Sequence, residues 1–293
     1  MFYTLLNVQR FFEACYQTLI SFLRILLRFK YKNHLKSQGV NKRKLVILGN
    51  GPSLKDSLSE LGDKEDGVDY MAVNLFVLSD TFSVLKPETY VLLDIGFFKD
   101  NTIPRVKEIT DKLIEAFIAK TDWPMKLFIP IEGRGSTLYR TITESESQIE
   151  FVFFNRTNVE GLRRFRHWAY SRNLGMPKPQ NVLIGCLMLG ICTAYNRIEI
   201  LGADHSWLEN IKIGNDNSLI SVEKHFYDKD KIGKPTKKEH PDTMKTVKLH
   251  DYLNDLVRTF SAYHVIREFA ESKGVKIINA SKVSYIDAFE RLR

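Results

Sequence analysis

Apolar runs of strand length alternate along the chain with longer segments of helical spacing. The run Leu45-Val46-Ile47-Leu48-Gly49 is followed by Leu54, Leu58 and Leu61 at helical intervals. Similar apolar runs recur at 70–74, 89–94, 126–130, 150–154, 198–202 and 275–279. Helical segments lie between them at 54–61, 75–84, 103–120, 157–172, 181–195 and 247–273. Repeated strand–helix–strand units predict an α/β, Rossmann-like domain: a mostly parallel sheet with helices on both faces. Such sheets bind ligands outside the carboxyl ends of their strands. Residues 205–246 break the alternation. They are rich in Lys, Asp, Asn, Gly and His, hold no long apolar run, and read as a lid or binding insertion. The predicted domain therefore spans 45–293, with 1–44 as a separate N-terminal element.

The first strand stops at Gly49-Asn50-Gly51-Pro52-Ser53. Two glycines allow close backbone approach, Pro52 fixes φ where a helix can begin, and Ser53 can cap it. Free amides and the helix dipole then predict a phosphate cradle. The pattern is neither G-x-G-x-x-G nor G-x-x-x-x-G-K-[ST], so NAD and Walker-type ATP sites lose their main warrant. An ordinary tight turn is the plain structural alternative. Asn50, Asn74, Asp94 and Asp204 end successive predicted strands, where ligands are expected. Each alone could be a cap or an Asx turn.

Charge changes the picture at the N-terminus. The net charge is +8, and the eight cations of residues 24–45 stand among no acid at all. The rest of the chain is near neutral, which argues against a nucleic-acid-binding body. Ahead of those cations, residues 2–29 are helical in pattern and heavily aromatic. Arg10, Glu13, Gln17 and Arg24 make a membrane span costly, so an amphipathic helix lying in the interface is expected. The basic linker would add attraction to an anionic leaflet. A core or dimer helix, giving a homo-oligomer, is the alternative. Three scattered cysteines form no disulfide framework or C-x-x-C motif, and no signal-peptide pattern is visible. A cytoplasmic protein held at the inner face of the plasma membrane is the expectation.

At these residues the chain resembles the bacterial sialyltransferases of glycosyltransferase family 42 and related polysaccharide-biosynthesis transferases. The resemblance is carried by G-N-G-P-S-L-K at 49–55, the strand ending in Asn74, and Asp94-Ile-Gly-Phe-Phe. It extends to Leu201-Gly202-Ala203-Asp204, the His225-x-Tyr227 pair and residues 276–284, spanning about 45–285. It implies a single GT-A-like nucleotide-binding domain with a lid, an inverting transferase, a CMP-sugar co-substrate, and neither cofactor nor essential metal. The expected partners are a nucleotide sugar and a cell-surface glycan or glycolipid acceptor. By the same resemblance Gly49, Asn50, Gly51 and Ser53 would hold the nucleotide phosphate and ribose. Asn74 would contact the donor, Asp204 the nucleoside, and Tyr227 a departing phosphate oxygen. Two departures weigh against sialic acid itself. The family's carboxylate-gripping Thr-Ser pair is Asn181-Val182 here, and its third-strand Asn is Asp94. Another 2-keto sugar such as Kdo, or a different nucleotide sugar, stays open.

Transfer with inversion needs a base for the acceptor hydroxyl, and the resemblance implies a lid histidine, whose unperturbed pKa suits that work. His225 is the best match because Tyr227 follows two residues on. His205, at a strand's carboxyl end, is the rival. Lys224, Lys229, Lys231 and Lys234 could neutralise phosphate without metal. Asp228-Lys229-Asp230 reads D-x-D but lies in a charged loop rather than at a strand end. Two other readings stand beside transfer. G-x-G-P-S-L also opens proteins resembling the archaeal pterin diphosphokinase MptE, which would need Mg-ATP, and flagellin-modifying accessory factors. A non-catalytic polysaccharide-assembly protein is the third.

Overall fold

The computed structural model describes residues 2–28, 35, 44–60, 66–100, 103–193, 195–222, 226, 235–238 and 246–292. Helix α1 (Phe2–Arg28) comes first. The body then runs β1 (Lys44–Leu48), α2 (Leu54–Glu60), β2 (Val68–Val73), α3 (Thr81–Leu85), β3 (Thr89–Val91), α4 (Pro104–Lys120) and β4 (Met125–Pro130). It continues through α5 (Thr137–Thr143), β5 (Ile149–Phe154), α6 (Arg163–Ser171), α7 (Val182–Cys192) and β6 (Arg197–Leu201). The strands β7 (Ile211–Ile213), β8 (Leu219–Val222) and β9 (Pro235–Lys237) follow, then α8 (Leu249–Ser272), β10 (Lys276–Asn279) and β11 (Glu290–Arg291).

Eight strands form one sheet in the order β11-β10-β6-β1-β2-β3-β4-β5. Every pairing in it is parallel. The expected α/β architecture is present. Alternate residues of β1 serve opposite faces: Leu45 and Ile47 pack with α7 and α8, while Val46 and Leu48 pack with α4. Burial on both sides explains why β1 reads as an unbroken apolar run. From β1 the chain builds outward through β2, β3, β4 and β5, then returns to place β6 on the other side of β1. The order therefore reverses between β1 and β6, and a crevice at that switch point is the standard ligand position in such sheets.

Three expectations change. The helix expected over 75–84 divides into a 3₁₀ turn (Asn74–Leu78) and α3, because Ser79 is extended and its hydroxyl bonds Phe76 O at 2.7 Å. The helix expected over 157–172 begins only at Arg163. Ahead of it the chain is extended, Val159 N–H donating to Met176 O at 3.0 Å. The insertion 205–246 is not wholly irregular, since β7, β8 and β9 pair as a small antiparallel sheet. Strands of three or four residues carry too few apolar positions to register as a pattern. Most of the basic linker lies outside the described residues.

Candidate active site

The loops after β1 and β6 are bonded to each other across the switch point. Gly49 N–H donates to Leu201 O at 2.8 Å and Gly51 N–H to Gly202 O at 2.8 Å. Ser53 N–H reaches both Asp204 carboxylate oxygens at 3.3 Å, and Leu54 N–H donates to Gly51 O at 3.0 Å. The glycines serve this contact. A Cβ on Gly51 would overlap the Asp204 carboxylate and stand 2.6 Å from Gly202 O. Gly202 takes φ +63° with Leu54 packed where its own side chain would be. The open ring of amides expected of this loop is therefore not what folds. The amides of Gly49, Gly51, Ser53 and Leu54 are committed within the protein, and the Asp204 carboxylate occupies the anion position before α2.

A cavity of about 1060 Å³ opens over the carboxyl ends of β1, β2, β3 and β6. Gly49, Asn50, Gly51, Asn74, Asp94 and Asp204 all line it, so the expected strand-end residues converge. Ser53 is buried behind them against Asp204. The Asn50 side chain is oriented by its Nδ2, which donates to Val73 O at 3.2 Å, and its Oδ1 is buried without a partner among the described residues. The Asn74 Oδ1 is likewise unpartnered, on a residue in the left-handed region at φ +49°. Its backbone is fixed by Tyr90, whose hydroxyl donates to Asn74 O at 2.7 Å and accepts from Val77 N–H at 2.9 Å. Two buried amide oxygens without donors among the described residues can accept from N–H or O–H groups. Asp94 caps the 3₁₀ turn Ile95–Phe98 by accepting from Gly96 N–H at 2.8 Å.

Sequence reasoning missed the cations of this cavity. Lys99, Arg156 and Lys238 line its walls. Arg156 was findable by the strand-end rule, since it follows β5 by two residues. Lys238 follows β9, which the sequence did not reveal.

His205 sits at φ +52° with its ring 4.1 Å from that of Trp207. The polar groups around it fix its proton. Asn181 Oδ1 accepts from Ile184 N–H at 3.2 Å, so the amide nitrogen must face Tyr263, to whose hydroxyl it donates at 2.8 Å. The single Tyr263 proton is then directed to His205 Nε2, 2.6 Å away. Nε2 is thus the acceptor and the proton of the neutral ring lies on Nδ1. Burial pushes the imidazole pKa down to about 3, which keeps the ring neutral. Asn181 orders this network and caps α7.

Asp204 moves the other way. Burial raises its pKa, and the hydrogen bonds from Ser53 only partly oppose this. A raised folded value means that ionisation costs stability, beginning as pH passes the unfolded value of about 3.8 and complete above the folded one. Asp204→Asn is expected to melt at pH 7 no lower than the parent, which calorimetry of the two proteins checks.

His225 and Tyr227 lie outside the described residues, as do Asp228 and Asp230. Phe226 is described. Its N–H donates to Asn50 O at 3.1 Å and its ring packs 5.2 Å from Phe76. Among the described residues no group of three His, Cys, Asp or Glu side chains is placed to hold a metal ion.

No family model matches the chain, and no curated protein matches it. Among solved structures it is similar to the MAf glycosyltransferase from Magnetospirillum magneticum AMB-1, with a TM-score of 0.51 and 11% identity. The two share a fold. The match covers 89% of this chain and 35% of that one, so the chain spans about a third of that protein's length.

Proposed function

We propose that the chain is a glycosyltransferase that moves a sugar from a nucleotide-activated donor to a glycan or glycolipid acceptor. The convergence of Asn50, Asn74, Asp94 and Asp204 on one cavity at the sheet's switch point carries this reading. The shared fold with a glycosyltransferase and the family 42 resemblance of the same residues support it.

A CMP-sugar is the favoured donor. The unpartnered Asn50 and Asn74 oxygens suit ribose hydroxyls or an exocyclic amine, and Lys99, Arg156 and Lys238 supply positive charge for phosphate. Asp94 on the cavity wall is unfavourable to a sugar carboxylate, which keeps sialic acid itself disfavoured. His225 takes the proton of the acceptor hydroxyl as that oxygen attacks the anomeric carbon with inversion. Tyr227 donates to the departing phosphate, and no metal is required. His205, with Nε2 engaged by Tyr263, serves as a hydrogen-bond donor rather than as the base.

Saturating CMP, in EDTA, is expected to raise the melting temperature by about 5 °C, from roughly 2.7 kcal/mol at a hundredfold excess over Kd. A screen of CMP, UDP, GDP and ADP donors for hydrolysis then identifies the nucleotide. Stabilisation by Mg-ATP alone would replace this reading with a diphosphokinase. Hydrolysis of none of the four would favour an assembly role.

A further inference from the structure

Helix α1 is docked the wrong way round for a helix that belongs to a soluble body. Its inward stripe is Ala14, Thr18, Ser21 and Ile25, of which only Ile25 joins the apolar core. The contact is polar and specific. Thr18 Oγ1 accepts from Leu162 N–H and Ser21 Oγ from Glu160 N–H, each at 2.8 Å. Gly161, at φ +108°, lets the loop pass within touching distance of the Thr18 backbone. The large apolar side chains face away: Phe12 is 67% exposed, Leu19 57% and Leu27 82%. Tyr16, Leu23 and Leu26 share that outward face. At 1.5 Å per residue the stripe from Val8 to Leu27 runs about 28 Å. Surface hydrophobics scattered singly mean little, but a continuous stripe of this length marks an interaction site.

We propose that this face of α1 lies in an anionic membrane surface. Among the described residues no helix is long and apolar enough to cross a membrane, so the helix would lie along one. The occupant is chosen by charge. Residues 24–45 carry eight cations and no acid, beginning on the last turns of α1 itself. A second copy would bring the same cation run to the interface, against which the single acid of α1, Glu13, is a small counter-charge. The docking loop also leads to the cavity. Arg156 lines the cavity and Glu160 bonds α1, and four residues of chain span at most about 14 Å. On the transferase reading above, the acceptor is one carried in that membrane.

The test is flotation of the full chain with phosphatidylcholine vesicles, with and without phosphatidylglycerol. Strong binding to the anionic vesicles is expected, weakening with salt and on neutral vesicles. Substituting Phe12→Gln, Leu19→Gln and Leu23→Gln together should lower binding at least tenfold, with nucleotide-sugar hydrolysis and melting temperature unchanged. Equal flotation of parent and variant would overturn the proposal. So would no flotation of the parent, or a lipid-independent dimer dispersed by the same substitutions. Hydrolysis tests the transferase reading separately, so either idea can fail alone.

Discussion

His225→Gln is expected to lower glycosyl transfer by about 10² to 10⁴, the range for losing a positioned general base. CMP binding, read by thermal shift, should be retained. The acceptor hydroxyl must lose its proton as it attacks, and a positioned imidazole is the group proposed to take it. His205 lines the cavity but cannot replace it. Its Nε2 lone pair takes the Tyr263 proton, and burial holds its pKa at about 3, so it is a poor base near neutral pH. Phe226, a described residue, donates its N–H to Asn50 O. Full activity in His225→Gln, with His205→Asn inactive, would reverse the assignment.

The second large effect is on stability. The parent is expected to lose about 2–3 kcal/mol of folding stability between pH 7 and pH 4.5 through His205 alone. The sign follows from the depressed value. The unfolded chain takes up a proton below about pH 6.5, whereas the folded ring stays neutral until about pH 3, so stability falls as pH falls through that window. The figure is a ceiling, because the ring also borders the cavity. His205→Asn should lack this slope, and Asn tolerates the left-handed backbone at φ +52°. Urea unfolding of both proteins at pH 7.0, 5.5 and 4.5 isolates the difference, since the other titrating groups are common to both. Parallel curves would mean that the folded imidazole is protonated like a free one.

Much of the site was legible because its residues obey a local rule. Asn50, Asn74, Asp94 and Asp204 each end a strand, and strand ends are visible as the stop of an apolar run. Arg156 obeys the same rule after β5 but stands in no motif that marks it. Lys238 and Tyr263 were not readable. The first follows a three-residue strand with no apolar signature, and the second is one aromatic among many on α8.

The alternation of runs by itself determined the α/β class, the parallel sheet and the cluster of polar groups at its carboxyl edge. Period and burial are local properties that a sequence carries openly. Only the tertiary structure decided which two loops meet. Ser53 and Asp204 stand 151 residues apart, and their hydrogen bond exists because the return of the chain sets β6 beside β1. That contact turned a loop of expected free amides into one already satisfied by a carboxylate. The proton position on His205 was likewise decided by partners on α7 and α8, and the outward face of α1 by two hydroxyl contacts to a loop 140 residues away in sequence. Long-range hydrogen bonds choose among the orientations that local periodicity leaves equal.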